Sequence, residues 1–285
     1  MYGDGAEERS GRKRTERLKW AGIVSIVAPL AILALLVVTV FVQGLGWMSW
    51  DFFVSLTSET PARAGILPAM VGSVLLIATT ALVAVPIGVG AALYLEEFAD
   101  AGWFASIVEI NIANLAGVPS VIFGILGLTV FVNFARLGST IIAGALTLAL
   151  LILPVIIMAA REALRSVPNE LREAALGLGA TRLEMVRRVL LPMALPGIMT
   201  GTILSISRAI GETAPLLLVG AVLTSGVPLG VDSKITALPL QIFQWTQHAK
   251  DDFQLVAAAA IVVLLVIMLC LNGIAIYLRN RFETT

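Results

Sequence analysis

The 285-residue chain has one cysteine, one histidine and little charge, and each scarcity excludes something. A single cysteine, Cys270, can form neither a disulfide within the chain nor a cysteine metal cluster. A lone His248 cannot build a histidine metal site by itself and reads as a loop or interface residue. Charged residues are 13% of the chain and hydrophobic ones 58%, with mean hydropathy +0.95. A soluble domain carries about 25% charged residues, so this composition belongs to a membrane protein. Formal net charge is zero, which gives no global field to draw nucleic acid. The G-x-x-x-x-G-K-[ST] phosphate loop is missing, so the chain does not hydrolyse a nucleotide by that route. Energy for uphill movement would have to come from a partner or an ion gradient. Period-2 alternation with short turns is also missing, which argues against a barrel.

What is present is a series of long apolar runs. They predict an all-α, polytopic membrane protein with six transmembrane helices, at 20–43, 66–95, 105–134, 138–160, 193–223 and 254–279. Pro86, Pro119, Pro154, Pro196 and Pro215 fall inside these spans, where Pro119 is expected only to kink the third. The first run, Ala21 to Val42, is too long for a signal-peptide core and no A-x-A site follows it. At ~1.5 Å per residue it extends about 33 Å, enough to cross a bilayer. It is read as a retained first helix.

Lysine and arginine set the predicted orientation. The tail, residues 1–19, holds Arg9, Arg12, Lys13, Arg14, Arg17 and Lys19. The segment 161–192 holds Arg161, Arg165, Arg172, Arg182, Arg187 and Arg188, and the end holds Arg279 and Arg281. Six spans put these regions on one side, the expected cytoplasmic side, with both termini there. The stretch "LEEFADAG" falls on that side too, although it carries Glu96, Glu97 and Asp100 and no base. On the opposite side, Trp47 and Trp50 are expected interfacial anchors. Leu238, Ile242 and Trp245 recur at helical spacing there and predict a helix that lids the bundle.

Segment 161–192 predicts two short helices outside the bilayer. One begins near Pro168; the other carries a capping box, Thr181 followed by Glu184. Their join, "EAALGLGA", is small and apolar. It is either a docking knuckle or a connector packed on its own chain.

Here the sequence resembles a known family. Glu173-Ala174-Ala175, three residues, Gly179, nine residues, then Val189-Leu190-Leu191-Pro192 is similar to the EAA motif of bacterial ABC importer permeases, with valine for the usual isoleucine. "NLAGVPSVIFGILG", "SRAIGETAPLL" and "TALPLQIFQW" resemble the PstA-type permeases of phosphate importers more narrowly. The resemblance implies a type I importer (MetI-like) core over about residues 67–279, with one helix ahead of it, inside a permease domain 20–285. It implies that Glu173, Ala174, Ala175 and Gly179 belong to a coupling helix that seats on an ATPase. It further implies a bacterial plasma-membrane location amid lipid. The implied partners are a PstC-like second permease, a PstB-like ATPase dimer and a PstS-like external phosphate-binding protein. ATP and magnesium would be bound by the ATPase, with no cofactor on this chain and no enzymatic step of its own.

Two charges stand inside the fifth apolar run. On a helix, Gly201, Ser205, Arg208 and Glu212 would share a stripe about 60° wide. A charge at the bilayer centre costs about 2.5–3.5 kcal/mol or more, so the stripe should face the bundle or a watery path. Arg208 and Glu212 are either a self-neutralising i,i+4 pair or an anion site with a forked donor. The resemblance implies a role in phosphate passage. Asn114 and Ser120, beside Pro119, are candidates for neutral hydrogen bonds along the path, although Asn114 suits a helix–helix bond at least as well. Alternatives are a permease for sulfate or molybdate, or a secondary transporter driven by an ion gradient. An intramembrane enzyme is disfavoured by the lack of a histidine cluster or paired aspartates within the spans.

Overall fold

Long apolar helices account for most of the described chain, which in this computed structural model comprises residues 4–99, 102–220 and 226–283. Asp100, residues 221–223 of the expected fifth span, and the side chains of Arg9, Arg12, Lys13, Arg14 and Arg17 lie outside the described residues. Helix α1 runs Asp4–Leu45, so the basic tail and the first apolar run form one helix. A short α2 (Trp50–Val54) precedes α3 (Leu67–Leu93), which continues through a π-helical turn at Tyr94–Phe98. Next come α4 (Trp103–Ala116), α5 (Ser120–Gly127) with a π-helical extension to Phe134, and α6 (Ile141–Arg165). Then follow α7 (Asn169–Gly177), α8 (Arg182–Met185), a π-helical turn at Val186–Leu190 and α9 (Leu191–Ile210). The chain closes with α10 (Ala214–Val219), α11 (Leu238–Thr246) and α12 (Asp252–Glu283).

Among the described residues five of these stretches are each long and apolar enough to cross a membrane, and a bent pair, Ala105–Ala116 with Ser120–Phe134, makes a sixth when its two halves are taken as one span. This agrees with the six spans read from the sequence. Two expectations need correction. The third span is not merely kinked at Pro119 but broken, with its halves 101° apart. And the second short helix of segment 161–192 is not separate: Arg182–Ile210 is one continuous stretch that becomes the fifth span. The capping box at its start is present, with the Thr181 hydroxyl accepting from the Glu184 amide at 3.3 Å.

Helix α6 is the centre of the bundle and its most buried span. Lipid tails are as apolar as leucine, so burial of apolar area alone does not hold spans together; close packing does. The sequence supplies small residues for it. Gly197 and Gly201 on α9, four residues apart, meet Ala163 and Ala159 on α6. A β-carbon on Gly197 would lie 2.8 Å from the Ala163 methyl. Gly201→Leu is therefore expected to push α9 off α6 and destabilise the fold by about 1–3 kcal/mol, the usual range for overpacking. Gly22→Leu on α1, where nothing lies within 4 Å, is the control. Thermal unfolding in detergent checks this; equal melting points would contradict the packing argument.

At the end away from the arginines, α11 buries Leu238 and Trp245 and half-buries Ile242, as the spacing predicted. Trp47 packs against the same cluster, whereas Trp50 is exposed. The His248 ring lies 4.1 Å from the Phe253 ring and its Nδ1 accepts from the Lys250 amide, so it is a loop residue.

Candidate functional site

Two spans are interrupted at comparable places, and the sequence explains both. After Ala116 the chain reads Gly117-Val118-Pro119. Proline has no amide to donate, and its ring turns Val118 away from helical angles, so α4 ends and α5 restarts at Ser120. In the fifth span, Pro215 would place its ring against the carbonyl of Gly211, four residues back. The helix closes there with tight bonds, Gly211 amide to Arg208 carbonyl at 3.1 Å and Glu212 amide to Ala209 carbonyl at 3.2 Å. Short α10 then begins at Ala214. The breaks are neighbours. Val118 and Phe123 at the first share one apolar cluster with Ile206 and Ala209 at the second. A β-carbon on Gly124 would lie 2.7 Å from the Pro215 Cα, so α5 and α10 are in backbone contact.

Helix α9 thus stops two residues short of Glu212, so Gly201, Ser205 and Arg208 keep the helical stripe expected from the sequence and Glu212 falls outside it. Their surroundings differ. Gly201 packs on Ala159. Ser205 is buried, and its hydroxyl donates to the Gly201 carbonyl at 2.8 Å. Arg208 points to the open side, with its side chain 58% exposed, and sits in the last turn of α9, where a cation complements the helix dipole. Glu212 reaches back from the break, 3.7 Å from the Arg208 Nε. Asn114 is exposed one turn before the first break, and Ser120 is half-buried just after it. Among the described residues no hydrogen bond joins either of them to Arg208 or Glu212. The structure therefore brings together Arg208 and Glu212, sets Asn114 and Ser120 at the adjacent break, and withdraws Ser205 into the packing.

The arginine-rich end carries the other candidates. Helix α7 closes on Gly179, whose φ of +87° is the left-handed region that favours glycine. The Gly179 amide donates to the Leu176 carbonyl at 2.9 Å and the Ala180 amide to the Ala175 carbonyl at 3.1 Å. This is a Schellman cap, and it explains why the spacing from Glu173 must deliver a glycine there. The knuckle divides. Ala175 packs inward against the cluster around Met185 and Leu190, while Glu173, Ala174 and Gly179 are exposed and Leu178 is 90% exposed. A cleft of about 370 Å³ opens beside it, lined by Leu178, Gly179, Glu184, Met185 and Arg188 among others. So the connector packs through one alanine and offers its remaining apolar surface to solvent.

An ionic network at this end was not visible in the sequence. Arg161 lies 3.4 Å from Glu96 and 3.1 Å from Glu109. Arg165 lies 3.0 Å from Glu96 and 3.5 Å from Glu109. Arg172 Nη1 lies 2.7 Å from Glu97, and its Nη2 donates to the Leu164 carbonyl at 2.6 Å. The acidic pair in "LEEFADAG", on the same side as the arginines, was the available signal.

Comparison with known proteins now adds to this geometry. Residues 84–284 match the family described as binding-protein-dependent transport system inner membrane component. The chain is 32% identical over 260 residues to phosphate transport system permease protein PstA of Haemophilus influenzae, covering 91% of this chain and 90% of that protein. It is also 32% identical over 278 residues to the probable ABC transporter permease protein YqgI of Bacillus subtilis, covering 92% and 94%. Among solved structures it is similar to a chain of a bacterial alginate ABC transporter, with TM-score 0.71 at 17% identity, covering 97% of this chain and 98% of that one. A chain of the inward-facing MetNI methionine ABC transporter gives TM-score 0.60 at 19% identity, over 74% and 94%.

Proposed function

The chain belongs to the family of binding-protein-dependent transport system inner membrane components, and from that premise we propose that it is the phosphate-carrying permease subunit of an ATP-driven importer. In this reading it forms half of a pathway beside a PstC-like permease, with a PstB-like ATPase pair on the arginine-rich, cytoplasmic end and a PstS-like binding protein at the other. The phosphate assignment draws on the likeness to PstA proteins. The observation that carries it is the half-open guanidinium of Arg208, set where two broken spans meet.

The residues divide the task. A broken span presents backbone and polar groups at membrane depth, which is tolerated where they line a cavity. Arg208 offers a forked donor to a phosphate oxygen. Glu212, at 3.7 Å, competes for that donor. Contact with the anion is then transient, as passage requires, and tight selection rests with the external binding protein. Glu173, Ala174 and Leu178 form the face that an ATPase would seat upon, and Ala175 and Gly179 hold that face in shape. This chain makes and breaks no covalent bond; ATP and magnesium act in the ATPase.

The test is purification with bound partners, followed by uptake into proteoliposomes with labelled phosphate, sulfate and molybdate. Phosphate uptake that needs both ATP and the ATPase is expected. Uptake of sulfate or molybdate but not phosphate would replace the substrate. Uptake without any ATPase would replace the mechanism with ion coupling.

A further inference from the structure

Segment 161–192 has two limbs, and they meet the spans differently. The second limb is continuous helix from Arg182 to Ile210, so its motion reaches the break at Gly211 directly. The first limb, α7, follows α6 through the turn at Ser166–Pro168 and ends at the Gly179 cap. Among the described residues, one ion pair ties α7 to a span: Arg172 to Glu97.

That pair is built for a joint. Glu97 is only 7% exposed and sits in the π-helical turn that ends the second span. Arg172 grips two elements with one planar fork. Nη1 lies 2.7 Å from Glu97 Oε1 as an ion pair without hydrogen-bond alignment, and Nη2 donates to the Leu164 carbonyl in the last turn of α6 at 2.6 Å. A buried carboxylate left without its cation is strongly penalised. Helix α7 therefore cannot shift while Glu97 stays behind, and the second and fourth spans must follow it. Next in the same turn is Glu96, which with Arg161, Arg165 and Glu109 makes a closed set of four charges, each arginine contacting both carboxylates. Glu109 lies on α4, whose far end is the break at Gly117.

We propose that Arg172 is a positioning residue for transport: by bridging Glu97 and the Leu164 carbonyl it converts displacement of α7 into displacement of the second and fourth spans, and the Glu96–Arg161–Arg165–Glu109 set passes that displacement to the third. One push at the segment then reaches both breaks, through side chains on one limb and through backbone on the other. The proposal rests on the importer-permease reading but not on phosphate being the cargo.

The experiment uses the assembled complex in proteoliposomes and reads anion imported per ATP hydrolysed. Arg172→Gln and Glu97→Gln are expected to keep ATP hydrolysis while lowering that ratio at least about tenfold, the effect of one lost charge-assisted contact. The swap Glu97→Arg with Arg172→Glu restores the ion pair but has no donor for the Leu164 carbonyl, so it is expected to recover part of the ratio. An unchanged ratio in the single variants would overturn the proposal. So would a parallel fall of transport and hydrolysis, or a swap that assembles and couples no better than the singles. Should the glutamine variants fail to assemble, Arg172→Lys decides. It keeps the charge without the fork, and an unchanged ratio there would also overturn the joint. If the unsubstituted complex imports another oxyanion, the phosphate assignment falls, and the ratio is read with that anion.

Discussion

Arg208→Gln is expected to remove phosphate uptake while the complex still assembles. Arg208 has one ionic partner among the described residues, Glu212 at 3.7 Å, and its side chain is 58% exposed. Little of the packing depends on it, because the α9 contacts with α6 at Gly197 and Gly201 lie two to three turns earlier along the helix. Its value lies in the charge it presents. Loss of a charge-assisted contact worth about 1.5–3 kcal/mol along the path slows passage by roughly 10- to 150-fold. Arg208→Lys keeps the charge without the fork and should fall between the two. The measurements are initial uptake of labelled phosphate and recovery of co-purified subunits. Normal uptake would take Arg208 off the path. Loss of assembly in Arg208→Gln would make the Arg208–Glu212 pair a structural staple instead.

The local rules in this chain were legible, and the long-range ones were not. Gly179 is an example of the first. A helix ending there needs a left-handed residue, and the spacing from Glu173 supplies glycine. The capping box at Thr181 and Glu184 is another, since both partners lie within one turn. Proline was ambiguous. Pro86, Pro154 and Pro196 stay inside continuous helices, while Pro119 and Pro215 sit at breaks. What separates them is a glycine two or four residues earlier, Gly117 or Gly211, which gives the chain a place to stop. That pairing ends α9 before Glu212, which leaves the expected stripe with Gly201, Ser205 and Arg208 alone. Of the ionic network, the acidic pair Glu96 and Glu97 on the arginine side was legible, but its pairing was not. Glu96 and Arg161 are 65 positions apart, so their meeting depends on α3 packing along α6, which no local pattern encodes. Ser205 looked like a pathway group because it is polar in an apolar run. In a membrane span a serine can satisfy itself on its own backbone, as this one does.

Glu173→Lys is expected to abolish ATP-driven uptake while the chain still inserts at normal levels. Glu173 is exposed on α7, and the helix is held by other means: the Gly179 cap, the Arg172 fork and the inward Ala175. Glu173 is at the middle of nine-residue α7, beyond the first turn, so a lysine there opposes the helix dipole by less than about 1 kcal/mol, too little to undo those contacts. At a docked surface the same reversal is far more damaging. A like-charge mismatch, or a buried partner left unpaired, costs about 2–5 kcal/mol, so seating weakens by roughly 30-fold or more. Membrane abundance, ATPase recovery and uptake should therefore separate, the first staying normal while the other two fall. Crosslinking locates the contact, and the structure dictates where the probe belongs. Ala175 faces the chain's own core, whereas Leu178 is 90% exposed at the tip of the knuckle. With exposed Cys270 first replaced by serine, a cysteine at Leu178 should crosslink to the ATPase, and one at Ala175 should react poorly. Crosslinks from Leu178 confined to this chain, or normal uptake by Glu173→Lys, would mean that the EAA segment folds as the motif requires yet seats on no ATPase.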